Sequence, residues 1–156
     1  MGNQVVADLT NQITDLSIPS GANLTQPKLQ HRHQVAYQQI GGADATAADA
    51  ILYRAYKSAT VLEAKITPDA VPAGGTKTLT VDIQNSTGGG AWATILTGTT
   101  SLGTSDTART PKAISLSGTP TMVAGDVLRA HLTIGGSGGT GVQGFIVDVV
   151  IAENGT

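Results

Sequence analysis

Three stretches of this chain repeat their apolar residues at every second position, with clusters of glycine, proline, asparagine and aspartate between them. In Thr78–Gln84, Leu79, Val81 and Ile83 fall on one side, and Thr80, Asp82 and Gln84 on the other. A period of two is the signature of a strand, because successive strand side chains point to opposite faces, whereas a helix repeats every 3.6 residues. The same rule turns Leu62, Ala64 and Ile66 inward in Val61–Thr67, and Leu128, Ala130, Leu132 and Ile134 inward in Val127–Ile134. Each of these strands keeps a polar face, as antiparallel sheets do. Phe145–Ile151 is apolar on nearly both faces, which places it centrally in its sheet with Asp148 at a solvated or interface position. Weaker strand signals lie at Ile51–Tyr56, Ala91–Leu96 and Ala113–Leu116, and no helical period intervenes. Short strands separated by turn clusters such as Pro72–Gly75, Asn85–Gly90 and Gly135–Gly141 predict an all-β fold, an antiparallel β-sandwich of jelly-roll or immunoglobulin-like type.

The pattern changes near Gly41-Gly42. Before that point the chain is polar and rich in Gln and Asn, so residues 1–45 are assigned to an N-terminal arm and 46–156 to the sandwich. Val6, Leu9, Ile13 and Leu16 are spaced for one helical stripe, but Val5, Val6, Thr10 and Thr14 are poor helix formers. The arm is therefore expected to be extended with a possible short helix, followed by linker and a possible strand at Gln34–Ile40. Val5, Val6, Leu9, Ile13, Leu16 and Ile18 are too few to build a core and too many for a solvated tail. They call for a partner surface, and these six are the expected docking residues.

Charge removes several function classes. The 9 Lys and Arg residues are dispersed and the net charge is −2, so no cationic surface exists to follow a phosphate backbone and nucleic acid is not an expected partner. No apolar run approaches the roughly 20 residues of a bilayer span, and no membrane partner is expected. Met1-Gly2-Asn3-Gln4 has no features of a signal peptide, and the absence of cysteine removes disulfide and thiolate chemistry. Gly135–Gly141 satisfies both G-x-S-x-G and G-x-G-x-x-G, yet either motif needs a helix where this chain continues into a strand, so a flexible hairpin is expected. His31 and His33 lie two apart, which projects both to one side of an extended chain, but two ligands do not make a metal site and a solvated or docking arm is the favoured role. His131 reads as a surface strand residue beside Arg129. No nucleophile, base and orienting group assemble from the scattered carboxylates, so no catalysis and no cofactor are expected. Tyr53, Tyr56 and Trp92 have the flat faces that suit a sugar platform, although core or interface packing is the favoured use.

A resemblance adds the functional expectation. The strand Thr78–Asn85 with its glycine turn, the Ala124-Gly125-Asp126-Val127-Leu128 turn into a strand, and Gly138–Phe145 occur in the order seen in a small β-sandwich domain of tailed-phage virion proteins. The chain resembles capsid decoration (cement) proteins and head-fibre modules over roughly residues 50–153. The resemblance implies a homotrimer on the capsid exterior, with the arm docking on the major capsid protein and stabilising the shell. The alternative it implies is a receptor- or glycan-binding module of a head or tail fibre. The Thr/Ser/Gly-rich stretch between Thr97 and Pro111 departs from the family pattern and is expected to be a long exposed loop.

Overall fold

A computed structural model of the chain describes residues 31–153, and the six arm residues Val5, Val6, Leu9, Ile13, Leu16 and Ile18 lie outside them. The described residues form ten strands: β1 (His31–Asp44), β2 (Ala48–Arg54), β3 (Ala59–Ala70), β4 (Thr78–Ser86), β5 (Trp92–Thr94), β6 (Thr100–Leu102), β7 (Lys112–Ala113), β8 (Thr121–Met122), β9 (Val127–Gly135) and β10 (Gln143–Glu153). They make two antiparallel sheets. One has the order β1-β10-β3 with β7 and β8 both on the free side of β3; the other has the order β2-β9-β4 with β5 and β6 both on β4.

The pairing follows one nested scheme. The innermost strands meet first in sequence, β4 with β5 and β6; β3 then meets β7 and β8, β2 meets β9, and β1 meets β10. A long antiparallel ribbon has thus been folded over, and β3–β10 and β4–β9 pairing completes the two sheets. Counting β5 with β6 and β7 with β8 as interrupted single strands, this is the eight-strand jelly roll. The outermost pair sets His31 opposite Glu153, so both ends of the described chain lie at the same end of the sandwich.

The core lies between the sheets. Leu79, Val81 and Ile83 of β4, Leu128, Ala130 and Leu132 of β9, and Val147, Val149 and Ile151 of β10 are all buried, as their alternation requires. β10 is central in its sheet, flanked by β1 and β3, and its outward residues are Ile146, which is 40% exposed, and half-buried Asp148 and Val150.

Several expectations are corrected. The division at residue 45 cuts through the domain: β1 begins at His31 and pairs with β10 almost throughout, so the strand expected at Gln34–Ile40 is longer and the sandwich starts before residue 46. Leu62 is 38% exposed and Val61 is buried, the reverse of the expected facing. The cause is a β-bulge: Glu63 lies opposite Val150 but Val61 lies opposite Ile151, leaving Leu62 as the extra residue at which the alternation reverses. Ile134 is 41% exposed although it pairs with buried Leu79, because it lies at the rim where β9 ends. The stretch from Thr97 to Pro111 is not simply an exposed loop, since it contains β6, and Leu102 faces Leu79 with no exposed surface.

Gly135–Gly141 is likewise no hairpin. It carries the chain from one sheet to the other, and it lies against the Ala73–Thr76 loop through a Ser137 carbonyl that accepts from the Thr76 N–H and a reciprocal Ala73–Thr140 pair. Gly136 has φ of 72°, and a Cβ there would stand 1.9 Å from the Thr76 carbonyl oxygen. Only glycine allows this approach. At the opposite end, Asp126 is 2% exposed; its carboxylate accepts from the backbone N–H groups of Val123 and Gly88, tying the turn before β9 to the loop after β4. That is the physical role of the aspartate in the Ala124-Gly125-Asp126 turn.

Candidate binding face

The outward side of the β2-β9-β4-β5 sheet carries a connected set of polar groups and the chain's single tryptophan. Strand register builds it. Asp49 of β2 lies opposite His131 of β9, which lies opposite Asp82 of β4; one step along, Ile51, Arg129, Gln84 and Thr94 form the next row. Because alternate residues share a face, each outward residue finds its neighbour directly across the ladder.

Arg129 is the hub. Its Nε donates to Gln84 Oε1 at 2.9 Å, its Nη1 lies 3.0 Å from Asp49 Oδ2, and its guanidinium sits 4.2 Å from the centre of the Trp92 ring. Its side chain is consequently only 15% exposed on a nominally wet face. The Asp49 carboxylate also meets His131 Nδ1 at 2.6 Å, and the hydrogen bond with His131, helped by the charge of Arg129, holds Asp49 below the ordinary aspartate range. Asp82 accepts from Gln84 Nε2 at 2.7 Å and from the Thr94 hydroxyl, and it is 9% exposed although it points away from the core. In the sequence alone Asp82 and His131 are residues on the polar faces of two separate strands. What the sequence lacks is the register, which converts four separate strands into rows of touching side chains.

A second cluster occupies the end where the described chain begins and finishes. The Tyr53 hydroxyl donates to Glu153, whose other oxygen lies 3.5 Å from His33 Nε2, and the His31 ring stacks on His33 with centroids 6.5 Å apart. Hydrogen bonding from Tyr53, then the nearness of His33, lowers the Glu153 pKa, whereas burial and the adjacent carboxylate push the Tyr53 phenol up. Among the described residues, the buried His33 Nε2 makes no hydrogen bond, and no three His, Cys, Asp or Glu side chains are arranged to hold a metal ion. Tyr53, Tyr56 and Trp92 do not share a platform: Tyr53 packs against the core near His33, Tyr56 is 80% exposed, and Trp92 lies on the outer sheet face.

On the other sheet, an open groove of about 410 Å3 runs between exposed Ile40 and Ile146, with the Arg109–Asp69 ion pair among its bounding residues. Further along the same face, Gln34 Nε2 donates to Asp148 Oδ1 at 3.2 Å, so Asp148 takes the solvated position expected of it.

His131 shares its hydrogen bond with Asp49 and with no hydroxyl group among the described residues, so the pair has no aligned nucleophile. The fold and this face together define the class: a jelly-roll β-sandwich module with one ordered polar face. Compared with protein-family models, curated proteins and solved structures, the chain matches none. Function must therefore be argued from the molecule itself.

Proposed function

We propose that this protein is a structural, non-enzymatic virion protein that decorates and stabilises a phage capsid shell from outside, with its N-terminal arm docking on the major capsid protein. The observation that carries this reading is that the described residues form a jelly roll with 22 buried apolar residues, while the sequence ahead of them carries six further aliphatic residues, Val5, Val6, Leu9, Ile13, Leu16 and Ile18. Each of those side chains that is buried on a partner contributes about 1.5–3 kcal/mol before ordering costs. Only 13% of the chain's residues are charged, which lowers the cost of covering its surface with a second copy, and we propose a homotrimer in which three arms act together.

Binding to empty capsids tests the reading. Full-length protein, a chain starting at His31, and Leu9→Ser/Ile13→Ser are compared by co-sedimentation. Binding by the full chain together with loss of at least tenfold in the other two supports it. Equal binding by the chain starting at His31 moves the anchor to the sandwich, and no binding by any form overturns the proposal. Copy number in purified virions separates decoration, with hundreds of copies, from a fibre with far fewer.

A further inference from the structure

We propose that the outer face of the β2-β9-β4-β5 sheet is a carbohydrate-binding face that takes a neutral oligosaccharide, stacking one sugar ring on Trp92 and bonding its hydroxyls to Arg129, Asp49 and His131. This inference is independent of the shell-binding role.

Three properties of the face select that ligand. The first is a flat apolar surface beside fixed polar groups. The partly exposed Trp92 indole lies against the Arg129 guanidinium at 4.2 Å, and the proposed pyranose ring would stack on the side turned away. The second is preorganisation. Arg129 is held by Gln84, Asp49 and Trp92 at once, so little side-chain freedom is lost on binding. A guanidinium has five N–H donors, and Gln84 and Asp49 do not use them all. The third is charge balance. Arg129 is matched by Asp49, and Asp82 adds a second carboxylate in the next row, so the face has no excess positive charge to attract phosphate or a polyanionic chain. It offers donors and acceptors side by side, the complement of sugar hydroxyls, which both donate and accept.

Dimensions agree. From β2 to β5 the face crosses four strands at about 4.8 Å each, roughly 14 Å between the outer strand axes, which suits an oligosaccharide more than a single ring. A depression of about 290 Å3 bounded by Asp49, His131, Ala47 and Thr133 continues the face on the β2 side.

The test uses the full chain and its single tryptophan. Maltohexaose, cellohexaose and chitohexaose serve as neutral probes and hexagalacturonate as the acidic one, with binding measured by isothermal titration calorimetry for every variant and also by fluorescence and the indole N–H resonance wherever Trp92 is present. The expected result is saturable change with at least one neutral probe, weakened tenfold or more by Trp92→Ala and by Arg129→Lys and unchanged by Gln38→Ala on the opposite sheet. Backbone amide spectra identify any variant that fails to fold; Trp92→Phe, which keeps a ring, should retain binding within a few fold. No response to any neutral probe, a response to hexagalacturonate alone, or binding that Trp92→Ala leaves within twofold overturns the proposal.

Discussion

Leu102→Ala is the most direct check on the jelly-roll assignment, because Leu102 sits in a stretch whose composition reads as exposed loop. In the structure its side chain has no exposed surface and faces Leu79 across the β4–β6 ladder. Truncation removes three carbons from the core, about 2.4 kcal/mol at roughly 0.8 kcal/mol per carbon. The cavity left behind adds to this, because neighbours anchored on two β-strands relax only partly, and fully buried Leu→Ala changes cost about 2.7–5 kcal/mol. About 3 kcal/mol is expected. For a body of 123 described residues, that lowers Tm by on the order of 10 °C. Urea unfolding followed by circular dichroism measures it, with an unchanged slope showing that the unfolded reference has not moved. Leu62→Ala is the internal control: Leu62 is 38% exposed at the β3 bulge, and its truncation should cost under about 1 kcal/mol. If Leu102→Ala costs no more than Leu62→Ala, β6 does not belong to the core and the strand count is wrong.

A chain starting at His31 should keep a cooperative melt, whereas one starting at Thr46 loses β1, uncovers one edge of β10 and should aggregate or unfold; both outcomes are read by calorimetry and light scattering. Gly136→Ala should cost roughly 2–4 kcal/mol in urea unfolding, because it adds a clash with the Thr76 carbonyl to a φ of 72°. Gly138→Ala, with φ of 67° and open space around it, should cost only about 1 kcal/mol. Acid should destabilise the fold. Hydrogen bonding from Lys77 lowers Asp44, that from His131 lowers Asp49 and that from Tyr53 lowers Glu153, so the unfolded chain binds protons more readily than the folded one. Their contribution is present above the unfolded carboxylate range near pH 4 and is lost as pH falls through the depressed folded values. The urea midpoint should therefore drop between about pH 5 and pH 3, and Glu153→Gln should make that drop shallower.

Strand identity was legible wherever one face is buried along a regular ladder, as in Leu79–Ile83 and Leu128–Leu132, since the period of two is a purely local consequence of backbone geometry. Reading failed where the ladder is irregular or the partner remote. A bulge at Leu62 is decided by how β3 meets β10, so nothing in Val61–Thr67 itself announces that Val61 and not Leu62 goes inward. β6 and β8 are only a few residues long, too short to show a period. Of the candidate binding face, the sequence offered Trp92, Arg129 and His131 as residue types only. Their union with Asp49 and Asp82 needed the register of β2, β9 and β4.

The sequence by itself determined that the chain is an antiparallel β-sandwich, because alternation, turn clusters and the lack of a helical period act over a few residues and need no partner to be read. Only the tertiary structure decided that the sandwich is a jelly roll that includes β1, because that choice rests on β1 meeting β10 across roughly a hundred residues of chain. It also decided that Asp49, Asp82, Arg129 and His131 form one network, since side chains that bond across a sheet are brought together by strand register and not by their neighbours in sequence.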